Sequence, residues 1–262
     1  MYYWKLNLSL VCKKLALSLI FIVFTIDKSC AGEYLTIGYF DVPVHTVYKD
    51  KLGPKSALLS YSKLITDQMN VQVTFKKYPL SRLFYMLEQG RIDMILIMLK
   101  TPEREKKFVY STIPILTIQS ALALGNTTPL DTFTSYRALA DLRIDIWKGA
   151  IYPQELVDAG VAITKLSGTN VIERGFKRLL AKRSDGFYSP DKLSLEYMQA
   201  QAEFNQQIKV ILIPDPPKQL YTAFSKSSAN KFLSKYNSAL QQLKKHKSYE
   251  NYLHEYLTLS AD

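Results

Sequence analysis

The chain has 262 residues, of which 47% are hydrophobic and 22% charged, with 10 glycines and 11 prolines. This composition is typical of a folded globular protein and excludes a collagen-like, low-complexity or highly charged disordered chain. Two cysteines cannot form a disulfide framework, and the three scattered histidines, His45, His246 and His254, lack metal-ligand spacing. We therefore expect neither a structural zinc nor a small fold held together by disulfides.

The net charge of +11 comes from 34 basic and 23 acidic residues. Four of the lysines and one aspartate lie within residues 1–31, so a chain without that segment keeps 30 basic and 22 acidic residues, a net charge of +8. The bases are spread along the chain except for the run 244–247, which is typical of a solvated helix face. This distribution favours a protein with no nucleic-acid partner.

The first 31 residues have the features of a cleaved signal peptide. Lys13 and Lys14 precede an apolar run over 15–26, which is shorter than a typical membrane-spanning helix. Ser29 and Ala31 then place small residues at the two positions that a signal peptidase recognises. We expect cleavage after Ala31 and export to the periplasm.

Two alternatives remain for this segment. Residues 1–10 are also fairly apolar and would lengthen the run into an uncleaved anchor, and Cys30 would be the acceptor if the protein were lipid-modified. The charged pair Asp27 and Lys28 argues against lipid modification, which needs apolar and small residues before the cysteine. Cleavage after Ala31 would leave no cysteine, which is compatible with an oxidising compartment.

The first half of the remaining chain alternates short apolar runs with amphipathic helical segments. The predicted elements are strand 35–38, helix 54–69, strand 71–75, helix 80–87 and strand 94–97. This order predicts strands of one sheet joined by crossover helices.

A second unit of the same kind follows. The predicted strands are 119–124, 142–146, 162–164, 185–188 and 210–213, with helices 153–159, 171–182 and 192–202; strand 221–224 and helices 229–244 and 249–257 end the chain. Crossings near residues 125 and 216 would join two α/β lobes, the first formed by 33–123 plus 218–262 and the second by 128–214. The cleft between two such lobes is a usual place for a small ligand.

Several motifs occur in a characteristic order along both units. They are Pro79-x-x-Arg82-x(4)-Leu87-x-x-Gly90-x-x-Asp93, Thr101-Pro102-Glu103-Arg104-Glu105-Lys106, Phe108-Val109-Tyr110-Ser111-x-x-Pro114, Gly149-x-x-Tyr152, Ser184-Asp185-Gly186 and Tyr221-Thr222-Ala223-Phe224-Ser225-Lys226. From Tyr34 to Leu257 the chain resembles the bacterial extracellular solute-binding proteins of family 3. The resemblance implies the bilobed type II periplasmic-binding fold, a small-molecule ligand and no cofactor.

The resemblance assigns the ligand anchor to Arg104, whose planar guanidinium would hold a ligand carboxylate through two parallel hydrogen bonds. Thr101 and the backbone around Leu99 would add hydrogen bonds to the same carboxylate. The alternative for Arg104 is an ordinary ion pair at a helix start, for example with Glu103 or Glu105.

The second lobe departs from the amino-acid receptors of the family. These receptors usually place an acid five residues after the aspartate of the strand motif, where it pairs with the ligand ammonium. Counting from Asp185 that position is Pro190, and the acid follows as Asp191. Asp191 is either a shifted ammonium ligand or the cap of the next helix.

Aromatic residues provide further candidates for the cleft wall. Tyr39 and Phe40 follow the first strand and would line either the cleft or the core. Tyr152 would close over the ligand, in a loop without the hydroxyl residues of amino-acid receptors, and Trp147 is either core or cleft. Arg82 matches a family position near the cleft, where a structural role is equally compatible.

The sequence favours a monomeric solute receptor that captures an amino-acid-like carboxylate by lobe closure and delivers it to an ABC importer through an inner-membrane permease. One alternative is a subunit that presents its ligand to a membrane sensor. Another is a dehydratase on the same fold, in which Glu173 or Asp191 would act as a general acid. Esterase, phosphate-loop and zinc-protease motifs are absent from the sequence, so we expect a receptor and no catalysis.

Overall fold

The computed structural model describes residues 33–46, 48–50 and 53–258. The predicted signal peptide, residues 1–31, lies outside these residues. Within the described ranges no helix has both the length and the apolar character that a membrane crossing needs.

Strands and helices alternate along the described chain. The strands, numbered in chain order, are β1 (Tyr34–Tyr39), β2 (Tyr48–Asp50), β3 (Gly53–Lys55), β4 (Gln72–Lys77), β5 (Met94–Leu99), β6 (Val109–Tyr110), β7 (Leu116–Ile118), β8 (Ala121–Gly125), β9 (Arg143–Trp147), β10 (Ala162–Leu166), β11 (Gly186–Ser189), β12 (Ile208–Leu212) and β13 (Lys218–Phe224). The α-helices are Ala57–Gln68, Leu80–Glu88, Pro102–Glu105, Gln154–Asp158, Val171–Leu180, Lys192–Gln199, Lys226–His246 and Tyr249–Thr258, and Tyr136–Leu139 forms a 3₁₀ turn.

The strands form two main sheets, one for each lobe. The first has the order β4-β1-β5-β13-β6, with β7 also paired to β13, and the second has the order β10-β9-β11-β8-β12. In the first sheet β1 is parallel to β4 and β5, and in the second β9 is parallel to β10 and β11, as crossover helices require. The predicted bilobed α/β fold is therefore confirmed.

The first crossing between the sheets lies earlier than the sequence predicts. Strand Ala121–Gly125 pairs antiparallel with β11 and β12 of the second sheet. The chain thus leaves the first sheet between Ile118 and Ala121, not near residue 125, and the expected first-lobe segment 33–123 ends inside a strand of the second sheet.

The two crossings lie side by side and are bonded to each other. Gln119 Nε2 donates hydrogen bonds to the carbonyl oxygens of Ile213 and Asp215, at 3.0 and 2.6 Å. Lys218 Nζ lies 2.7 Å from Ser120 Oγ, which ties the returning segment to the outgoing one. The lobes are therefore joined at one edge.

Helix Ala57–Gln68 connects the start of the first lobe to its end. It begins at Ser56, whose hydroxyl oxygen accepts the Leu59 N–H at 3.2 Å, so the helix starts three residues after the predicted position. The helix packs against both C-terminal helices, Lys226–His246 and Tyr249–Thr258. This packing brings Tyr249 next to the loop that follows β1.

Candidate functional site

Residues at the carboxyl ends of four strands meet in one cavity between the sheets. Phe40 follows β1, Leu99 ends β5, Trp147 ends β9 and Ser189 ends β11, and all four line a cavity of about 80 Å³. The carboxyl ends of strands are where open α/β sheets bind ligands. We treat this cavity as the candidate site and call it the cleft.

The cleft is mostly apolar. Phe40 and Trp147, from opposite lobes, meet edge to face with ring centroids 5.2 Å apart. Leu80 and Phe84 line the cleft from helix Leu80–Glu88, and Ile97 lines it from β5. A ligand body that fits these side chains would be apolar.

Arg104 provides the positive charge in this apolar setting. Thr101 caps the helix Pro102–Glu105 and accepts the Arg104 N–H at 3.2 Å, which directs the arginine side chain back over β5. Nη1 of Arg104 then donates to the Leu99 carbonyl oxygen at 2.9 Å. Among the described residues no acidic side chain lies within ion-pair distance of Arg104, so the surface ion-pair alternative finds no support.

The same guanidinium group also reaches the second lobe. Nη2 of Arg104 donates to the Gly149 carbonyl oxygen at 2.7 Å, and the guanidinium carbon lies 4.6 Å from the centroid of the Phe84 ring. Burial lowers the pKa of Arg104, which the nearby Tyr110 partly opposes, and the group stays protonated at neutral pH. A guanidinium has five N–H donors, so those not used here can serve a ligand carboxylate.

Asp191 faces the cleft from the second lobe and contacts the first. It occupies the N-cap position of helix Lys192–Gln199, but its side chain makes no capping hydrogen bond to that helix. Its Oδ2 lies 3.1 Å from Nε2 of His45, and the Ser194 hydroxyl donates to the same oxygen. Burial by itself raises the pKa of Asp191, but the His45 ring and these hydrogen bonds outweigh it and hold the pKa below its ordinary value.

His45 is held rigidly on the first-lobe side. Its backbone N–H donates to the Val42 carbonyl oxygen at 3.1 Å, and its own carbonyl oxygen accepts the Leu58 N–H at 2.9 Å. Nδ1 of the ring lies 2.9 Å from the Tyr249 hydroxyl oxygen. The ring is 2% exposed, and its polar contacts in the described chain are with Tyr249 and Asp191.

The structure brings Arg104, Leu99, Phe40 and Asp191 together and leaves four other predicted residues outside the lining of the cleft. Of these four, Thr101 caps its helix, and Tyr39 packs against Phe75 with ring centroids 6.5 Å apart. Tyr152 has Lys165 Nζ 5.3 Å from its ring centroid. Arg82 is exposed, and its guanidinium carbon lies 5.5 Å from the centroid of the Tyr78 ring.

Phe84 and His45, the lining residues that contact Arg104 and Asp191, were not among the sequence-based candidates. Phe84 lies on a helix whose apolar spacing is the same for core and cleft residues, so the sequence has no signal for it. His45 was considered only for metal binding. Its place in the loop directly after β1, at the same sheet edge as Phe40, was the available signal.

A second cavity of about 280 Å³ lies beside the cleft and shares Ile172 with it. Its lining includes Asp41 and Glu173. Asp41 Oδ1 lies 2.6 Å from Lys77 Nζ, and its buried Oδ2 has no hydrogen-bond partner in the described part of the chain. Glu173 pairs with Lys177 at 2.7 Å on the surface of helix Val171–Leu180.

Comparisons with known proteins agree with this architecture. The sequence model of bacterial extracellular solute-binding proteins, family 3, matches residues 53–258. No curated protein matches the sequence significantly.

Solved structures share the fold at low sequence identity. A mutant of the arginine-binding protein of T. maritima is 19% identical, with a TM-score of 0.73 over 86% of this chain and 95% of that one. An amino acid ABC transporter substrate-binding protein from Streptococcus pneumoniae, bound to L-arginine, is 16% identical, with a TM-score of 0.73 over 87% and 96%. An ancestral amino acid-binding protein, described as a precursor of cyclohexadienyl dehydratase, is 20% identical, with a TM-score of 0.68 over 85% and 94%.

Proposed function

Since the chain belongs to the bacterial extracellular solute-binding proteins of family 3, we propose that it is a periplasmic receptor for a small carboxylate-bearing solute. The observation that carries this proposal is the position of Arg104. Its guanidinium lies in an apolar cleft, has no acidic partner among the described residues, and contacts both lobes. A half-buried cation in an apolar site without a counter-ion is unfavourable unless an anion joins it.

Capture would use the donors that Arg104 still has free. The hydrogen bond to the Leu99 carbonyl oxygen holds the guanidinium on the first lobe. The remaining N–H groups would donate to a ligand carboxylate in the cleft. In such a water-poor site a charge-assisted pair is stronger than in solvent. A carboxylate held by the arginine would place the apolar body of the ligand towards Phe40 and Trp147.

Closure follows from contacts that one ligand makes with both lobes. A ligand shifts an equilibrium between open and closed states only by its difference in affinity for them. In this proposal two lobes move relative to each other. The first is 33–123 plus 218–262, and the second is 128–214. Strand β8 (Ala121–Gly125) moves with the second lobe, because it belongs to the second sheet. The hinge is the pair of crossings bonded through Gln119.

The dehydratase alternative fits the site less well than a receptor does. A general acid needs a raised pKa, whereas that of Asp191 is lowered, and Glu173 lies outside the cleft and pairs with Lys177. We therefore propose a receptor and not a dehydratase. Its partner would be an inner-membrane permease of an ABC importer, with the monomer as the binding unit.

Export is part of this proposal and has its own test. The mature protein is expected to begin at Gly32 and to fractionate with periplasmic content. Mass spectrometry of the protein recovered from the periplasm checks this start, and an intact Met1 on cytoplasmic protein would contradict it.

The function is tested by a thermal-shift screen of amino acids and organic acids, because a ligand that binds only the folded state raises the melting temperature. Calorimetry on Arg104→Ala then follows. Loss of a buried charge pair is worth about 2–5 kcal/mol, so binding is expected to weaken at least about thirtyfold. The matched control is Arg82→Ala, an exposed arginine of the same lobe, which is expected to bind normally. Equal affinity in both variants would refute the anchor.

A further inference from the structure

We infer that the cleft selects carboxylates that lack an ammonium group, because His45 of the protein itself occupies the carboxylate that such an ammonium would need. This inference rests on the proposed function, in which Arg104 holds the ligand carboxylate. It names the class of solute more narrowly: monocarboxylic acids with an apolar body, and not α-amino acids.

The cleft offers one group of each charge to a ligand. Among the described residues that line it, Asp191 is the sole carboxylate and Arg104 the sole permanent cation. An α-amino acid carries an ammonium and a carboxylate on the same carbon atom and needs a partner for each. An ammonium buried without an anionic partner is strongly disfavoured.

Asp191 already has partners within the protein. Its Oδ2 receives His45 Nε2 at 3.1 Å and the Ser194 hydroxyl, and Asp191 is only 8% exposed. An incoming ammonium would have to compete with the imidazole and the Ser194 hydroxyl for this oxygen. A displaced ring would remain buried, with the Tyr249 hydroxyl as its remaining polar contact among the described residues.

Hydrogen bonds hold the His45 ring and its loop in place. Tyr249 holds Nδ1 at 2.9 Å, and the turn that carries His45 is bonded through its backbone to Val42 and Leu58. The Ser194 hydroxyl also lies 3.0 Å from the Pro43 carbonyl oxygen, which binds the same loop to the second lobe. His45 is thus built into the fold as the hydrogen-bond partner of Asp191.

Asp41 does not offer an alternative site for an ammonium in the cleft. It lines the neighbouring cavity, and its Oδ1 already lies 2.6 Å from Lys77 Nζ. The remaining surroundings of Arg104 are apolar, with Phe84 against the guanidinium and Trp147 across the cleft. The solute that satisfies these surfaces has one carboxylate and a hydrocarbon body.

The test compares matched pairs of probes that differ only in the ammonium group. The pairs are 4-methylpentanoate with L-leucine and 3-phenylpropanoate with L-phenylalanine, measured by calorimetry at neutral pH on the mature chain. The acid without the amine is expected to bind at least about tenfold tighter in each pair that binds, which corresponds to about 1.4 kcal/mol. Arg104→Ala is expected to abolish binding of both members.

A second experiment tests whether replacing His45 changes the preference between the acid and the amino acid of a pair. His45→Asn frees Asp191, and its preference is expected to shift at least about tenfold towards the amino acid of the pair. His45→Gln, which keeps a longer hydrogen-bonding side chain, serves if the first variant does not fold, and circular dichroism checks both.

Different results would refute the receptor function and the selectivity for acids without an amine. If the amino acids bind the wild type more tightly and lose binding in Arg104→Ala, the selectivity inference is overturned and the receptor function stands. An unchanged preference in the folded His45 variant also overturns it. If no probe of the pairs and no member of the thermal-shift screen binds at millimolar concentration, the proposed function falls and the inference falls with it.

Discussion

Replacing Asp191 by asparagine is expected to destabilise the protein strongly, because it removes one partner of a buried pair between the lobes. The two side chains meet at 3.1 Å, and His45 and Asp191 are 2% and 8% exposed. Breaking such a pair on one side leaves an uncompensated buried group and costs about 3–5 kcal/mol. For a chain of this size about 2–4 °C of melting temperature corresponds to each kcal/mol, so the expected fall is roughly 6–20 °C.

The matched control is Asp185→Asn. Asp185 also pairs with a basic residue, Arg143, at 2.8 Å, but the side chains are 30% and 53% exposed. Exposed pairs are screened by solvent and contribute little. Differential scanning calorimetry of both variants therefore compares the same chemical change in a buried and an exposed setting. Equal shifts in the two variants would refute the reasoning from burial.

The dependence on pH gives a second, independent check of the same pair. The pKa of Asp191 is lowered in the folded state, so its contribution to stability is fully present above the unfolded value, about 3.9. This contribution is lost as the pH falls through the folded pKa. The difference in stability between wild type and Asp191→Asn is expected to persist from neutral pH down to about pH 4 and to shrink below it. A difference that grows on acidification would show that the pair is not stabilising.

Three further predictions concern the cleft and its surroundings. Arg104→Lys is expected to recover less than about a tenth of the affinity lost in Arg104→Ala, because an ammonium cannot form two parallel hydrogen bonds; calorimetry on both variants checks this. Cleavage of the signal peptide removes Trp4 and leaves Trp147, so ligand binding beside Phe40 should change the tryptophan emission of the mature protein; unchanged emission under saturating ligand would contradict the placement. Burial raises the pKa of Tyr110 to about 12, against the lowering effect of Arg104; an ultraviolet titration should show one phenol that ionises near that pH and is missing in Tyr110→Phe. Since the pKa of Tyr110 is raised, its contribution to stability is lost as the pH rises above about 10.

The fold could be predicted largely because its elements carry local signals. The predicted strand 94–97 and helix 80–87 differ from the observed Met94–Leu99 and Leu80–Glu88 by one or two residues. Strand β8 is where local signals were insufficient. Its apolar sequence fits either sheet, and its pairing with β11 and β12 depends on residues some 60 to 90 positions later in the chain.

The site was predictable only in part, for a similar reason. Arg104 was found through its motif, which lies within one short segment. The role of His45 depends on Asp191, 146 residues away, and on Tyr249, 204 residues away. No spacing in the sequence brings these three together, because the fold itself makes them neighbours. The shifted position of Asp191 in the sequence was nonetheless a sign that its partner would differ from a ligand ammonium.

Gly149 connects the departure in the second-lobe loop to the selectivity of the cleft. Its φ of +95° is rarely adopted by other residues, and a Cβ there would lie 3.3 Å from the Phe84 ring and 3.6 Å from Leu80. The glycine therefore allows the second lobe to approach the first closely enough for its carbonyl oxygen to accept from Arg104. The loop thus offers a backbone acceptor and apolar side chains where amino-acid receptors of the family have hydroxyl groups. With Asp191 already paired to His45, the carboxylate that lines the cleft from the second lobe is engaged, and both departures favour the same kind of ligand, an apolar carboxylate.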